Sequence, residues 1–99
     1  MVAYLQLPAQ QLNKALRAAA TAVAPGGRLV IVGHDVTNIA DGVGGPQDPD
    51  VLYTPEAVAA QLEPLRVLVA ERVTRMVEGA DGRSAIDTLV VAEGVDRAD

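Results

Sequence analysis

At 99 residues the chain fills one small domain, and with 49% hydrophobic residues but only two aromatics, Tyr4 and Tyr53, its core has to be aliphatic. A net charge of -5, with eight scattered Lys and Arg residues, disfavours a nucleic-acid partner, because phosphate binding needs a positive face. Cysteine is absent, which excludes disulfides and thiolate chemistry, and no apolar run approaches the ~18 residues of a membrane span.

Residues 2–7 are a short apolar run ended by Pro8, which suits a strand turning into a helix. Pro8 fits the first helical position, where its missing N–H costs nothing. Leu12, Ala15, Leu16, Ala19 and Val23 then recur at three- and four-residue spacing as one apolar stripe. Pro25-Gly26-Gly27 stops the helix. Leu29, Val30, Ile31 and Val32 are successive apolar residues bounded by glycines, the pattern of a strand buried on both faces of a parallel sheet. Strand, helix and strand predict a parallel pair with a right-handed crossover.

Residues 34–53 lose every period. They hold Gly42, Gly44, Gly45, Pro46 and Pro49, with aspartates at 35, 41, 48 and 50. A structureless stretch of ~20 residues in a small domain is usually a lid or binding loop. A substrate-side loop and a simple connector both stand as readings. Asp41, Asp48 and Asp50 lack the alternating spacing of a calcium loop, so no metal is expected. Thr54-Pro55-Glu56 reads as a helix start, with Thr as cap, Pro in the first turn and an acid at the positive end of the dipole. Val58, Ala59 and Leu62 should face inward, and Pro64 closes the helix. Residues 65–77 predict a long strand with Val67, Val69, Val73 and Val77 on one face and Arg66, Arg72 and Thr74 on the other. Gly79-Ala80-Asp81-Gly82 is turn chemistry. Residues 84–93 then complete an antiparallel hairpin. Glu71, Arg72 and Arg75 are expected on a solvated face, where cross-strand pairs to Asp87 or Glu93 contribute little. Residues 96–99 read as a frayed tail, which leaves a domain over 1–95.

The opening residues lack the basic region and long apolar core of a signal peptide, so a cytoplasmic protein without a membrane partner is expected.

With these elements, the chain resembles the C-terminal half of the class I S-adenosylmethionine-dependent methyltransferases. Three stretches carry the resemblance. They are Ala22-Val23-Ala24-Pro25-Gly26-Gly27-Arg28-Leu29-Val30-Ile31-Val32-Gly33-His34-Asp35, then Gly44-Gly45-Pro46-Gln47-Asp48-Pro49, then Leu52-Tyr53-Thr54-Pro55-Glu56. The first looks like the end of the family's fourth helix, its turn and its fifth strand. The loop looks like that of the tellurite-resistance-like small-molecule methyltransferases. The terminal hairpin looks like strands six and seven, whose antiparallel insertion separates this fold from a dinucleotide-binding Rossmann domain. The implied fold is α/β, a partial Rossmann-like methyltransferase fold running β-α-β-loop-α-β-β.

The resemblance implies methyl transfer to a small-molecule acceptor, with the chain as the substrate-side half. The family's glycine-rich donor loop and ribose-binding acid have no counterpart, because the sequence starts inside what looks like the fourth strand. Gly42-Val43-Gly44-Gly45 is no substitute, since it runs into Pro46 instead of entering a helix. S-adenosylmethionine is therefore expected only with a complementing half, and the chain alone is expected to be inactive. Ala3 and Tyr4 would pass the donor, and Gln6, Asp35, Asn38 and Tyr53 would shape the acceptor side. His34, the only histidine, is the candidate catalytic base. Plainer readings stand beside these: a hydrogen-bonding histidine at a strand end, an Asx turn from Asp35 to Asn38, core filling by Tyr4, and a Tyr53 that pins the loop. A lone parallel pair exposes a strand edge, so the expected partner is a complementing N-terminal half or a second copy, for example through the first strand's edge. The alternative function is a non-enzymatic dimeric α/β interaction module. A third reading, the tail of a nicotinamide-dependent reductase, is opposed by the terminal hairpin.

Overall fold

The computed structural model describes residues 2–3, 7–38, 52–76 and 84–95. Helix α1 covers Ala9–Ala22, with Pro8 as its extended N-cap (φ -55°, ψ 151°), one position earlier than the sequence suggests. The Pro8 carbonyl accepts the Leu12 N–H at 2.9 Å. On the apolar stripe Leu12, Leu16 and Ala20 are buried, while Ala15, Ala19 and Val23 are half-buried. Gly26 takes φ 79° in the turn that follows, a conformation a side chain would strain.

Strand β1, Val2–Ala3, runs parallel to β2, Arg28–His34, with Val2 opposite Ile31 and Ala3 opposite Val32. The connection through α1 is the expected helical crossover. Helix α2, Pro55–Ala60, leads to β3, Arg66–Met76, and β4, Ser84–Glu93. The sheet order is β1-β2-β4-β3, and β4 is antiparallel to both of its neighbours. The chain is a small α/β domain whose last strand lies between the second and the third.

Both helices lie on one sheet face. Leu12, Leu16 and Ala20 of α1, with Tyr53, Val58, Leu62 and Leu65 of the second helical segment, pack on Leu29, Ile31, Val90 and Ala92. Full burial of a Leu, Ile or Val side chain contributes about 1.5–3 kcal/mol, so this aliphatic layer holds the helices to the sheet. The other face corrects the expectation of a strand buried on both sides. In β2, Leu29, Ile31 and Gly33 are buried but Val30, Val32 and His34 are only half-buried, because among the described residues no helix covers them.

A second correction concerns β3. Val67 pairs with Ala92 and Val69 with Val91, so Leu68 is an extra residue in a bulge. The bulge moves Val67 to the helix side and leaves Val69 and Val73 on the open side, so the expected single row of valines is broken. Arg72 then lies on the helix side, opposite Thr88, while Arg75 pairs with Ala85 on the open side. The two arginines do not share one solvated face.

Candidate functional site

In open α/β sheets ligands gather at the carboxyl ends of parallel strands. At that end of β2 the chain passes through Asp35, which is fully buried. Its N–H donates to the Ile86 carbonyl and its own carbonyl accepts the Asn38 N–H, both at 3.0 Å. Carboxylate Oδ1 accepts from Thr37 N (2.9 Å), Thr37 Oγ1 (2.7 Å) and Arg72 Nε (3.0 Å). Oδ2 accepts from Thr88 Oγ1. Arg72 also approaches Glu56 Oε2 at 3.8 Å, in the first turn of α2. One carboxylate therefore links β2, β4, β3 and α2.

Burial alone would push the Asp35 carboxyl up. The hydrogen bonds from Thr88, from the N–H and hydroxyl of Thr37 and from Arg72 outweigh it, and hold the group below the usual carboxylate range. Asp35 is thus charged, buried and held by four hydrogen bonds within the chain, which suits positioning. The Thr37 contact is the Asx turn weighed from the sequence. Buried Asn38 adds a second tie, accepting the Ile86 N–H through Oδ1 at 2.7 Å.

Tyr53 returns the chain to β2. Its N–H donates to the His34 carbonyl at 2.8 Å, and its carbonyl accepts the Val36 N–H at 2.9 Å. Its buried ring covers Gly33, where a Cβ would fall 2.6 Å from ring carbon Cε1. Only glycine leaves room for the ring. Thr54 caps α2 by accepting the Ala57 N–H through Oγ1 at 3.1 Å. Thr54→Ala is expected to cost about 1 kcal/mol of stability, read as a lower midpoint in urea denaturation.

Between α1 and this segment lies a cavity of about 110 Å³, lined by Leu12, Asn13 and Leu16 on one side and Leu52, Tyr53, Thr54, Ala57 and Val58 on the other. Its walls are apolar, with Asn13 and Thr54 as the polar side chains. Ligand pockets usually hold about 300–1,000 Å³, so this one has room only for a compound of a few heavy atoms.

The expected site residues divide into three groups. Asp35, Asn38 and Tyr53 come together here. His34 points to the open face, where its Nδ1 lies 3.8 Å from Asp87 Oδ1, and Arg75 Nε donates to Asp87 Oδ2 at 3.0 Å. The sheet separates His34 from the cavity. Ala3 lies in β1 opposite Val32, while Tyr4 and Gln6 are outside the described residues. The sequence reading missed Thr37, Thr88 and Arg72 as partners of Asp35.

No protein-family model matches the chain, and no curated protein matches it. Among the described residues no helix is long and apolar enough to cross a membrane, and no group of three or more His, Asp or Glu side chains is clustered to hold a metal ion.

Proposed function

We propose that residues 1–95 are the substrate-side half of a Rossmann-like, S-adenosylmethionine-dependent methyltransferase domain acting on a small-molecule acceptor, with the donor held by a complementing half. The observation that carries this reading is the position of β4, inserted antiparallel between β2 and β3 beside a helix-linked parallel pair. That insertion is the feature by which the methyltransferase sheet departs from the dinucleotide-binding one.

The donor itself does not fit these residues. The residues between β1 and α1 include Pro8 and no glycine, so their sequence lacks the glycine-rich pattern that would cradle a donor between strand and helix. The chain's contribution is the acceptor side. The cavity walls and Tyr53 would hold the acceptor body, with Asn13 and Thr54 orienting its polar group. Asp35 and Asn38 fix the chain at the carboxyl end of β2, where Asp35 is bridged to Tyr53. Methyl transfer is an in-line displacement governed by placement. A thiolate or amine acceptor needs no base from the protein, which accords with a His34 that lies across the sheet.

The test is a two-dimensional NMR titration of the labelled chain with small thiols and amines, and separately with S-adenosylmethionine. Acceptor-type compounds are expected to shift the amides of Asn13, Tyr53, Thr54 and Ala57, with no saturable donor binding at micromolar concentrations. Tight donor binding by the chain alone, or acceptor shifts that avoid this cluster, would refute the proposal.

A further inference from the structure

We infer that the outer edge of β3 pairs with the same edge of a second copy, antiparallel about a two-fold axis through Val73, giving one continuous sheet. This inference is independent of the methyltransferase reading. β3 has 11 residues and ends the sheet, so among the described residues one of its two hydrogen-bonding edges faces no strand. Val67, Leu68 and Met76 on it are 37%, 41% and 76% exposed. A long strand edge of this kind is a template for another strand unless something blunts it.

The occupant follows from the charges. In an antiparallel two-fold pair, directly opposite side chains lie on the same face. Centring on Val73 places Glu71 opposite Arg75 of the second copy, and Arg75 opposite Glu71 of the second copy. It also places Ala70 opposite Met76 and Arg72 opposite Thr74. Two opposite-charge pairs thus form across the axis, and no like charges meet. Centring on Glu71 sets two carboxylates face to face, and centring on Arg72 sets two guanidinium groups face to face, both unfavourable. The Leu68 bulge interrupts the strand's first residues, so the regular ladder runs from Val69 to Met76, and Val73 lies near its middle. Arg75 is already oriented by its 3.0 Å hydrogen bond to Asp87, which leaves it pre-placed for the incoming Glu71.

The chain has no cysteine, so an introduced one reports the register directly. In the pair centred on Val73, the two copies of residue 73 have Cα atoms about 4.5–5.5 Å apart, within the range of a disulfide. Two copies of residue 70 lie six positions out of step, roughly 20 Å apart, and cannot be bridged. In sedimentation the full chain is expected to run as a dimer at tens of micromolar. Under mild oxidation Val73→Cys should cross-link and Ala70→Cys should not. Glu71→Lys, with circular dichroism unchanged, should weaken the dimer at least tenfold. A monomer at every concentration overturns the inference. So does a dimer indifferent to Glu71→Lys, or one in which Ala70→Cys links and Val73→Cys does not.

Discussion

Replacing Asp35 with Ala is expected to lower the unfolding free energy by about 2–4 kcal/mol, measured by urea denaturation. The loss arises chiefly because the buried Thr88 hydroxyl loses its charged acceptor, and the half-buried Thr37 N–H and hydroxyl lose theirs as well. Arg72, 39% exposed, rehydrates when released and is not the main source of the cost. A loss of about 2–4 kcal/mol is a large share of the roughly 5–15 kcal/mol that such domains typically hold, and in a domain of this size it lowers Tm by roughly 10–25 °C. Asp35→Asn keeps an acceptor in place and should cost less. The pH dependence follows from the direction of the shift. Asp35 titrates lower in the folded chain than in the unfolded one, so its contribution is complete above the unfolded carboxyl pKa and is lost as pH falls through the lowered folded value. The stability gap between the native chain and Asp35→Asn should therefore be constant from neutrality to about pH 5 and narrow below pH 4. A gap that widens in acid would contradict a depressed carboxyl.

Gly33→Ala should also destabilise, although alanine in a strand normally gains about 0.5–1 kcal/mol over glycine through chain entropy. The new Cβ would lie 2.6–2.7 Å from three Tyr53 ring carbons. The ring is buried and its backbone is fixed on both sides by hydrogen bonds to His34 and Val36. Overpacking of this kind costs about 1–3 kcal/mol, so the steric effect exceeds the entropic one. A double-mutant cycle isolates the cause. In a Tyr53→Leu background the ring is absent, and Gly33→Ala should become neutral or mildly stabilising. Strictly additive effects would show that the ring is not the obstacle.

Much of the architecture was legible because each element carries its own local cause. The apolar stripe and the Pro-Gly-Gly stop delimit α1, Thr54-Pro55-Glu56 opens α2, and β4 covers residues 84–93, expected as the second strand of the hairpin. The bulge at Leu68 was not legible, since Leu68 is as apolar as its neighbours and only its pairing with β4 reveals the extra residue. The Asp35 network was hidden for a different reason: Thr88 is 53 residues away and Arg72 is 37 away, and no local pattern couples them. The side taken by His34 was available in principle. Period-two alternation puts Asp35 with Leu29, Ile31 and Gly33, and His34 with Val30 and Val32. Reading β2 as buried on both faces concealed that division, and so placed His34 and Asp35 in one site.

The sheet order is what every functional statement here rests on, and interstrand nuclear Overhauser contacts measure it. Val91 should show contacts to Val30 on one side and Val69 on the other, and Val2 should meet Ile31 in a parallel register. Direct pairing of β3 with β2, or an antiparallel β1, would contradict the account and remove the basis for the methyltransferase reading.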